Sequence, residues 1–308
     1  MTPRIIVVTG PTASGKTALS VALSHALDGE VVSADSMQVY RGMDIGTAKP
    51  TSEEMDGIRH HMLDVAEAGE RYSVSRYEQA AAACVRDILS RGKLPIVCGG
   101  TGLYIDALLR GGGFQPSGDA ALRAELGAQW EHSGPDAMVA RLRQIDPESA
   151  ARLHINDKKR ILRALEVHAL TGQTITAHNA ATKARPPRFE ACTLALHTEP
   201  RDILYTRIDA RVDDMLAQGL ALEARRLYDA GALTGTAAQA IGYKELIDFF
   251  EGRCSYEEAA ARIKQSSRNY AKRQLSWLRV RDGIRWIIWN TPRQKAEVVL
   301  EATDFLRP

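Results

Sequence analysis

Eight consecutive residues, Gly10-Pro11-Thr12-Ala13-Ser14-Gly15-Lys16-Thr17, follow the spacing G-x-x-x-x-G-K-[ST]. The two glycines let the backbone turn sharply and approach a bound group closely. Successive N–H groups then surround phosphate oxygens at a helix start, where the helix dipole favours anions. Lys16 adds positive charge, and the Thr17 hydroxyl is placed to hold Mg2+. This backbone chemistry does not distinguish one diphosphate from another, so the loop alone leaves open whether its ligand is a nucleotide. A kinase or ATPase of this class carries a second acid at the end of another apolar strand, to hold the metal. The run "LPIVCGG" (94–100) ends in glycines instead. The acid that does stand at a strand end is Asp35, in "VVSADSMQVYRGMDIGTAKP". Its carboxylate can hold metal, take a proton or cap a turn.

These groups need a scaffold that brings strand ends together. "RIIVV" (4–8) runs into the glycine loop, and "TALSVALSHAL" follows with helical spacing. "EVVSAD" (30–35), "LPIVCGG", "CTLALHT" (192–198) and "IRWIIWN" (284–290) read as further buried strands, and "SVSRYEQAAAACVRDILSRG" (73–92) as a helix. Strands alternating with helices predict an α/β fold, a parallel sheet with helices on both faces. Residues 119–182 contain no strand pattern and are rich in Ala, Leu, Arg and Glu. Punctuation flanks them, "RGGGFQPSGD" (110–119) before and "KARPPRFE" (183–190) after. The expected organisation is a core over 1–115 and 186–308, interrupted by an all-helical insertion over 116–185.

The chain has 308 residues, is 44% hydrophobic and 25% charged, and has room for a substantial core. It contains neither a secretory signal nor an apolar stretch of membrane-spanning length. Its cysteines (84, 98, 192 and 254) are scattered without a C-x-x-C pair, which argues against a zinc site and for reduced thiols in a cytoplasm. No heptad seam is visible, so a monomer without an obligate protein partner or membrane association is expected. Net charge is only +2, but the cations are concentrated. Residues 252–285 carry nine Lys or Arg against three acids, and 156–188 carry seven against two.

Both basic regions read as amphipathic helices. Over 157–170, Lys159, Arg160 and Arg163 share one arc, opposite Ile161, Leu162, Leu165 and Ala169. Over 256–281, Lys264, Arg268, Lys272 and Arg279 share one face, opposite Ile263, Tyr270 and Trp277. Each face alone is an ordinary solvated surface. Two of them beside a phosphate loop point to a polyanion such as RNA, held by salt-dependent phosphate contacts.

In chain order stand "GPTASGKT" (10–17), "SADSMQVYRGMDIGTAKP" (33–50), "HHMLDV" (60–65), "GGTGLYIDAL" (99–108), "NDKKRILRALEV" (156–167), "AIGYKEL" (240–246) and "KRQLSWLR" (272–279). Together they resemble the tRNA dimethylallyltransferase (tRNA isopentenyltransferase) family in its compact bacterial form. No cysteine follows Cys254, so the zinc finger of longer eukaryotic relatives is not expected.

The resemblance implies a P-loop NTPase-like sheet with a helical tRNA-binding insertion. It implies that the loop, Gly10 to Thr17, grips the diphosphate of dimethylallyl diphosphate, with Arg211 as a further contact and Mg2+ as cofactor. The five-carbon group then moves to N6 of the adenosine 3′ of the anticodon, in tRNAs that read codons beginning with U. Asp35, Thr101 and Lys16 are the implied catalytic residues. The anticodon stem-loop is the implied partner, its target base extruded into a pocket made by Asp35, Ser36, Met37, Gln38 and Thr101. Further implied tRNA contacts are Arg123, the run Lys159, Arg160, Ile161, Leu162 and Arg163, and the run Ala240, Ile241, Gly242, Tyr243, Lys244 and Glu245. The last run is Lys272, Arg273, Gln274, Leu275, Ser276, Trp277, Leu278 and Arg279. Two other classes keep the same loop: a small-molecule or nucleotide kinase with a helical lid, and a non-catalytic RNA-binding ATPase switch.

Overall fold

The first strand, β1 (Arg4–Thr9), shows why the centre of the sheet is apolar on both sides: Ile5 and Val7 enter one buried cluster, and Ile6 and Val8 another. The structure is a computed structural model, and it describes residues 4–111 and 119–288 together with Glu297, Val299, Leu300 and Thr303. Strands β2 (Gly29–Ser33), β3 (His60–His61), β4 (Leu94–Cys98), β5 (Glu190–His197) and β6 (Ile284–Ile288) complete a parallel sheet in the order β3-β2-β4-β1-β5-β6. Helix α1 (Lys16–Leu27) sets Leu19 and Leu23 against Ile6, Val8, Ile96 and Leu194. After the single turn α2 (Ser52–Met55), helix α3 (Val74–Ser90) covers the opposite face with Tyr77, Ala81, Val85 and Ile88. Ser73 caps α3 by accepting the Arg76 N–H.

Parallel strands bring their C-terminal ends to one edge, where open α/β sheets collect ligands. Here the loops after β1, β2 and β4 are laced together. The Gly99 N–H donates to the Val8 carbonyl (3.1 Å), and the Ala34 N–H to the Cys98 carbonyl (2.8 Å). Thr101, just before α4 (Gly102–Arg110), donates its N–H to the Ala34 carbonyl (3.1 Å).

Two compact units are present, Met1–Leu109 with Phe189–Pro308, and Arg110–Arg188. In the second, helices α5 (Ala120–Ile145), α6 (Pro147–Arg152), α7 (Lys158–Thr171) and α8 (Ile175–Ala184) enclose Leu126, Met138, Leu142, Ile161 and Leu165. Gly134, at φ 75°, and Pro135 break α5 into two helical pieces. Asp157 and Gly172 cap α7 at its two ends. Buried Asp146 accepts from the Ser149 N–H (3.0 Å), the Thr176 N–H (3.0 Å) and the Thr176 hydroxyl (2.8 Å), which joins α6 to α8.

The first unit also holds α9 (Arg201–Ala217), α10 (Leu220–Asp229), α11 (Tyr243–Phe250) and α12 (Tyr256–Arg279). A capping box between Ser255 and Glu258 starts α12. The expected strand over 30–35 stops at Ser33, because the Met37 and Gln38 N–H groups bond the Asp35 side chain rather than a neighbouring strand. Ala169, expected on the apolar side of α7, is exposed; it sits in the last turn, beyond the packed core. Residues 112–118 of the expected linker and 289–290 of the expected last strand lie outside the described residues.

Candidate functional site

The phosphate loop leaves β1 at Gly10, whose φ is 144°. A Cβ there would stand 2.5 Å from the Leu196 carbonyl oxygen, so only glycine fits. Ala13 and Gly15 also have positive φ, and α1 then begins at Lys16. The Ser14 hydroxyl is buried and has no hydrogen-bond partner among the described residues. An orphaned hydroxyl inside such a loop suits an anion's oxygen. The Thr12 N–H, by contrast, is already used: it donates to Gln274 Oε1 (2.9 Å), while Gln274 Nε2 donates to the Gly100 carbonyl (3.1 Å). Gln274 on α12 therefore staples the loop to the end of β4.

The Lys16 ammonium donates to the Pro11 carbonyl (2.7 Å). Burial pushes its pKa down to about 8; the Cys98 thiol and the Asp35 carboxylate oppose this, and Arg211 adds to it. The protonated form that grips a phosphate is thus present below pH 8 and lost as pH rises through it. Bound diphosphate favours the charged form, so the free protein is the sensitive state. The kcat/KM for a diphosphate substrate should therefore fall about tenfold per pH unit above 8, with kcat itself falling at higher pH. A profile that stays flat to pH 9.5 would remove Lys16 from the grip.

Asp35 and Thr101 meet beside this loop. Asp35 Oδ1 accepts from Met37 N–H (2.8 Å) and Gln38 N–H (3.4 Å), which leaves Oδ2 for other work. The Thr101 hydroxyl accepts the Ser36 N–H (3.0 Å) and donates to the Ser36 hydroxyl (3.3 Å), so it does not cap α4. Tyr270 of α12 lies against the pair. Its pKa is pushed up to about 12 by burial and then by the Asp35 carboxylate, with contacts to Thr101 and Gln274 opposing. It remains a neutral donor.

A cavity of about 220 Å³ opens here, with Thr12, Asp35, Ser36, Arg211 and Arg273 among its polar lining. Arg211 has its pKa pushed down by burial, against the pull of Glu54 and Asp35. No hydrogen bond or ion pair holds it among the described residues. One stretch of wall is apolar, from Ile208, Val212 and Met215 of α9, Leu220 of α10 and Ile263 of α12, while Thr47, Gln239, Ser267 and Tyr270 add polar groups elsewhere. One chamber thus joins cations and a carboxylate to a small greasy surface. None of those five apolar residues, nor Tyr270, was marked as a site residue by the sequence. Their spacing is that of ordinary core positions.

Gln38, expected in the pocket for the extruded base, is absent from the cavity lining. Its Nε2 donates to the carbonyls of Thr47 (3.3 Å) and Ala48 (3.1 Å), and its Oε1 accepts from Ser33 (3.0 Å). Both ends of the amide are spent on the wall. The expected cationic stripe of α12 is also divided. Lys264 pairs with Asp213 and Arg268 with Asp209, both acids on α9, whereas Lys272 and Arg279 are exposed. Arg273, off that stripe, is the α12 cation that lines the cavity.

Tyr243, Glu245, Gln274 and Leu278 are buried, so their side chains can only support a surface. Ala240, Ile241 and Gly242 line the cavity beside half-buried Lys244. Leu275, like Ala13 of the phosphate loop, packs against the cluster of Leu204, Ile208 and Ala271; Ser276 is exposed, and Trp277 lies on Gly102 with the Arg281 guanidinium 3.4 Å above its ring. In the helical unit, Ile161 and Leu162 face the core, and Lys159 and Arg160 are exposed. Arg123 (2.8 Å) and Arg163 (2.8 Å) share the buried carboxylate of Glu166.

Among the described residues no three His, Cys, Asp or Glu side chains cluster as a metal site. The Thr17 hydroxyl and the remaining Asp35 oxygen are hard oxygen donors. That set fits Mg2+, which takes few protein ligands and completes its shell with phosphate and water.

The IPP transferase family profile matches residues 38–281, a span that begins after the phosphate loop and Asp35. A tRNA dimethylallyltransferase of Geobacillus thermodenitrificans is 46% identical over 307 residues, 99% of this chain and 97% of its own. The crystal structure of a full-length tRNA isopentenylpyrophosphate transferase from Bacillus halodurans superposes with a TM-score of 0.71 at 39% identity, covering 99% of each chain. A eukaryotic dimethylallyltransferase, solved acting on tRNA, gives 0.81 at 29% identity, covering 99% of this chain and 80% of its own. With a family profile over most of its length and a 46% identical relative across nearly all of it, this chain belongs to the IPP transferase family.

Proposed function

We propose that the protein transfers the dimethylallyl group of dimethylallyl diphosphate to N6 of the adenosine 3′-adjacent to the anticodon, in tRNAs reading codons that begin with U. The observation that carries this reading is the chamber where Thr12 of the phosphate loop, Asp35 and Arg211, which is unpaired among the described residues, adjoin an apolar stretch of wall. Diphosphate fits the first part and a five-carbon chain the second. A nucleotide base placed on the apolar stretch would lose its water without gaining hydrogen bonds there.

The adenine amine is a weak nucleophile, because its lone pair is delocalised into the ring. As N6 bonds to C1 of the donor, the C1–O bond breaks and diphosphate leaves with the electron pair. Asp35 Oδ2 takes the N6 proton. Lys16, Arg211, the Ser14 hydroxyl and the free N–H groups of the loop hold the leaving charge. Thr101, fixed by Ser36, and Tyr270 orient the extruded base. Mg2+, when bound, would be held by Thr17 and would neutralise diphosphate charge. Exposed Lys159, Arg160, Lys272, Arg273 and Arg279 supply contacts for the anticodon stem-loop. We read the enzyme as a cytoplasmic monomer; among the described residues no helix is long and apolar enough to cross a membrane.

The test incubates the purified protein with unmodified tRNA, Mg2+ and either dimethylallyl diphosphate or ATP, followed by nucleoside mass spectrometry. Adenosine heavier by one dimethylallyl group, only with the prenyl donor, is the expected result. ATP consumption without that product would return the loop to nucleotides and favour the kinase or switch.

A further inference from the structure

Gly46, Thr47 and Ala48 form part of the cavity wall, yet they belong to no helix or strand. Their shape is imposed from α10. The buried carboxylate of Glu223 accepts the Asp44 N–H (2.9 Å) and the Ile45 N–H (2.9 Å) on Oε2. On Oε1 it accepts the Gly46 N–H (3.0 Å) and the Tyr243 hydroxyl (2.6 Å). Three successive N–H groups converging on one oxyanion form the nest that loops use for bound anions. Here the anion is built into the fold. Tyr243 is fully buried, and its ring fills the place of a side chain at position 46, where a Cβ would lie 2.5 Å from it. The far side of the wall is held by Gln38, through the Thr47 and Ala48 carbonyls. Gln38 in turn closes the turn whose other N–H donor to Asp35 is Met37.

We propose that Glu223 is a positioning residue for the transfer: with Tyr243 it fixes the 44–48 wall and, through Gln38, the turn that presents Asp35 to the cavity. The inference rests on the function proposed above. It goes beyond it, because Glu223 touches neither the cavity nor the phosphate loop.

Glu223→Gln leaves one oxygen for four donors and, in either orientation of the amide, turns an NH2 group toward at least one backbone N–H, so part of the loop must let go. The experiment compares full-length wild type, Glu223→Gln and Tyr243→Phe at a temperature where all are folded. It reads kcat, KM for dimethylallyl diphosphate, tRNA affinity and amide hydrogen exchange. For Glu223→Gln, kcat should fall on the order of 10²-fold, as expected when reacting groups are misplaced by about 1 Å. The Kd for tRNA should hold, and exchange should quicken at 37, 38 and 44–46 but not in β1 or β4. Tyr243→Phe, which leaves the three N–H bonds in place, should lose less. Wild-type turnover in Glu223→Gln would overturn the proposal even if the loop exchanged faster. So would exchange that quickens equally across the sheet, the mark of general destabilisation. If wild type itself gave no prenylated tRNA, the functional reading would fall instead, and the exchange pattern would still report on the clamp.

Discussion

Asp35→Asn should lower dimethylallyl transfer by about 10²–10⁴ while leaving tRNA affinity nearly unchanged. Asparagine is the informative substitution. Its carbonyl oxygen can still accept the Met37 and Gln38 N–H groups, so the turn after β2 survives. What changes is the other atom of the side chain, now an NH2 group that cannot take a proton. Single-turnover rates at saturating donor and tRNA separate this from a binding defect. If Asp35 served chiefly to hold Mg2+, raising the Mg2+ concentration would restore the rate. Near-normal turnover at ordinary Mg2+ would remove Asp35 from the chemistry altogether.

The parts of this site that sequence made legible are those with local signatures. The phosphate loop declares itself by spacing, and β1, β4 and β5 by short apolar runs. The α7 helix is marked by its periodicity, with Asp157 and Gly172 at its ends. What escaped depends on partners far away in the chain. His60–His61 is too short to carry any pattern, and it is a strand only because β2 pairs with it. Lys264 and Arg268 looked like a surface for phosphate because their acids, Asp213 and Asp209, stand 51 and 59 residues earlier on another helix. Gln38 has the groups to read a base but uses them on Ser33, Thr47 and Ala48. The apolar wall escaped for the opposite reason. Ile208, Val212 and Ile263 obey the ordinary helical rhythm, and nothing local distinguishes facing a cavity from facing a core. Glu223 sits in an unremarkable amphipathic helix, and only the folded loop reveals its four donors.

Arg211 supports a prediction in which stability and activity move in opposite directions. Its guanidinium is partly withdrawn from water, and its pKa is pushed down by burial despite the pull of Glu54 and Asp35. No carboxylate closes on it among the described residues, so the folded protein bears the cost of a poorly solvated, unpaired cation. Such a cost persists where function needs it, here as a preorganised counter-charge for a leaving diphosphate. Arg211→Met keeps most of the side-chain volume beside Ile208 and Met215, and it removes the charge. The variant should melt at the same temperature as wild type or higher, while kcat falls by about 10²–10³. Dimethylallyl diphosphate should stabilise wild type against heat more than it stabilises the variant, since ligand stabilisation follows affinity. A lower melting temperature with unchanged turnover would make Arg211 a packing residue, and the diphosphate would then depend on Lys16 and the loop alone.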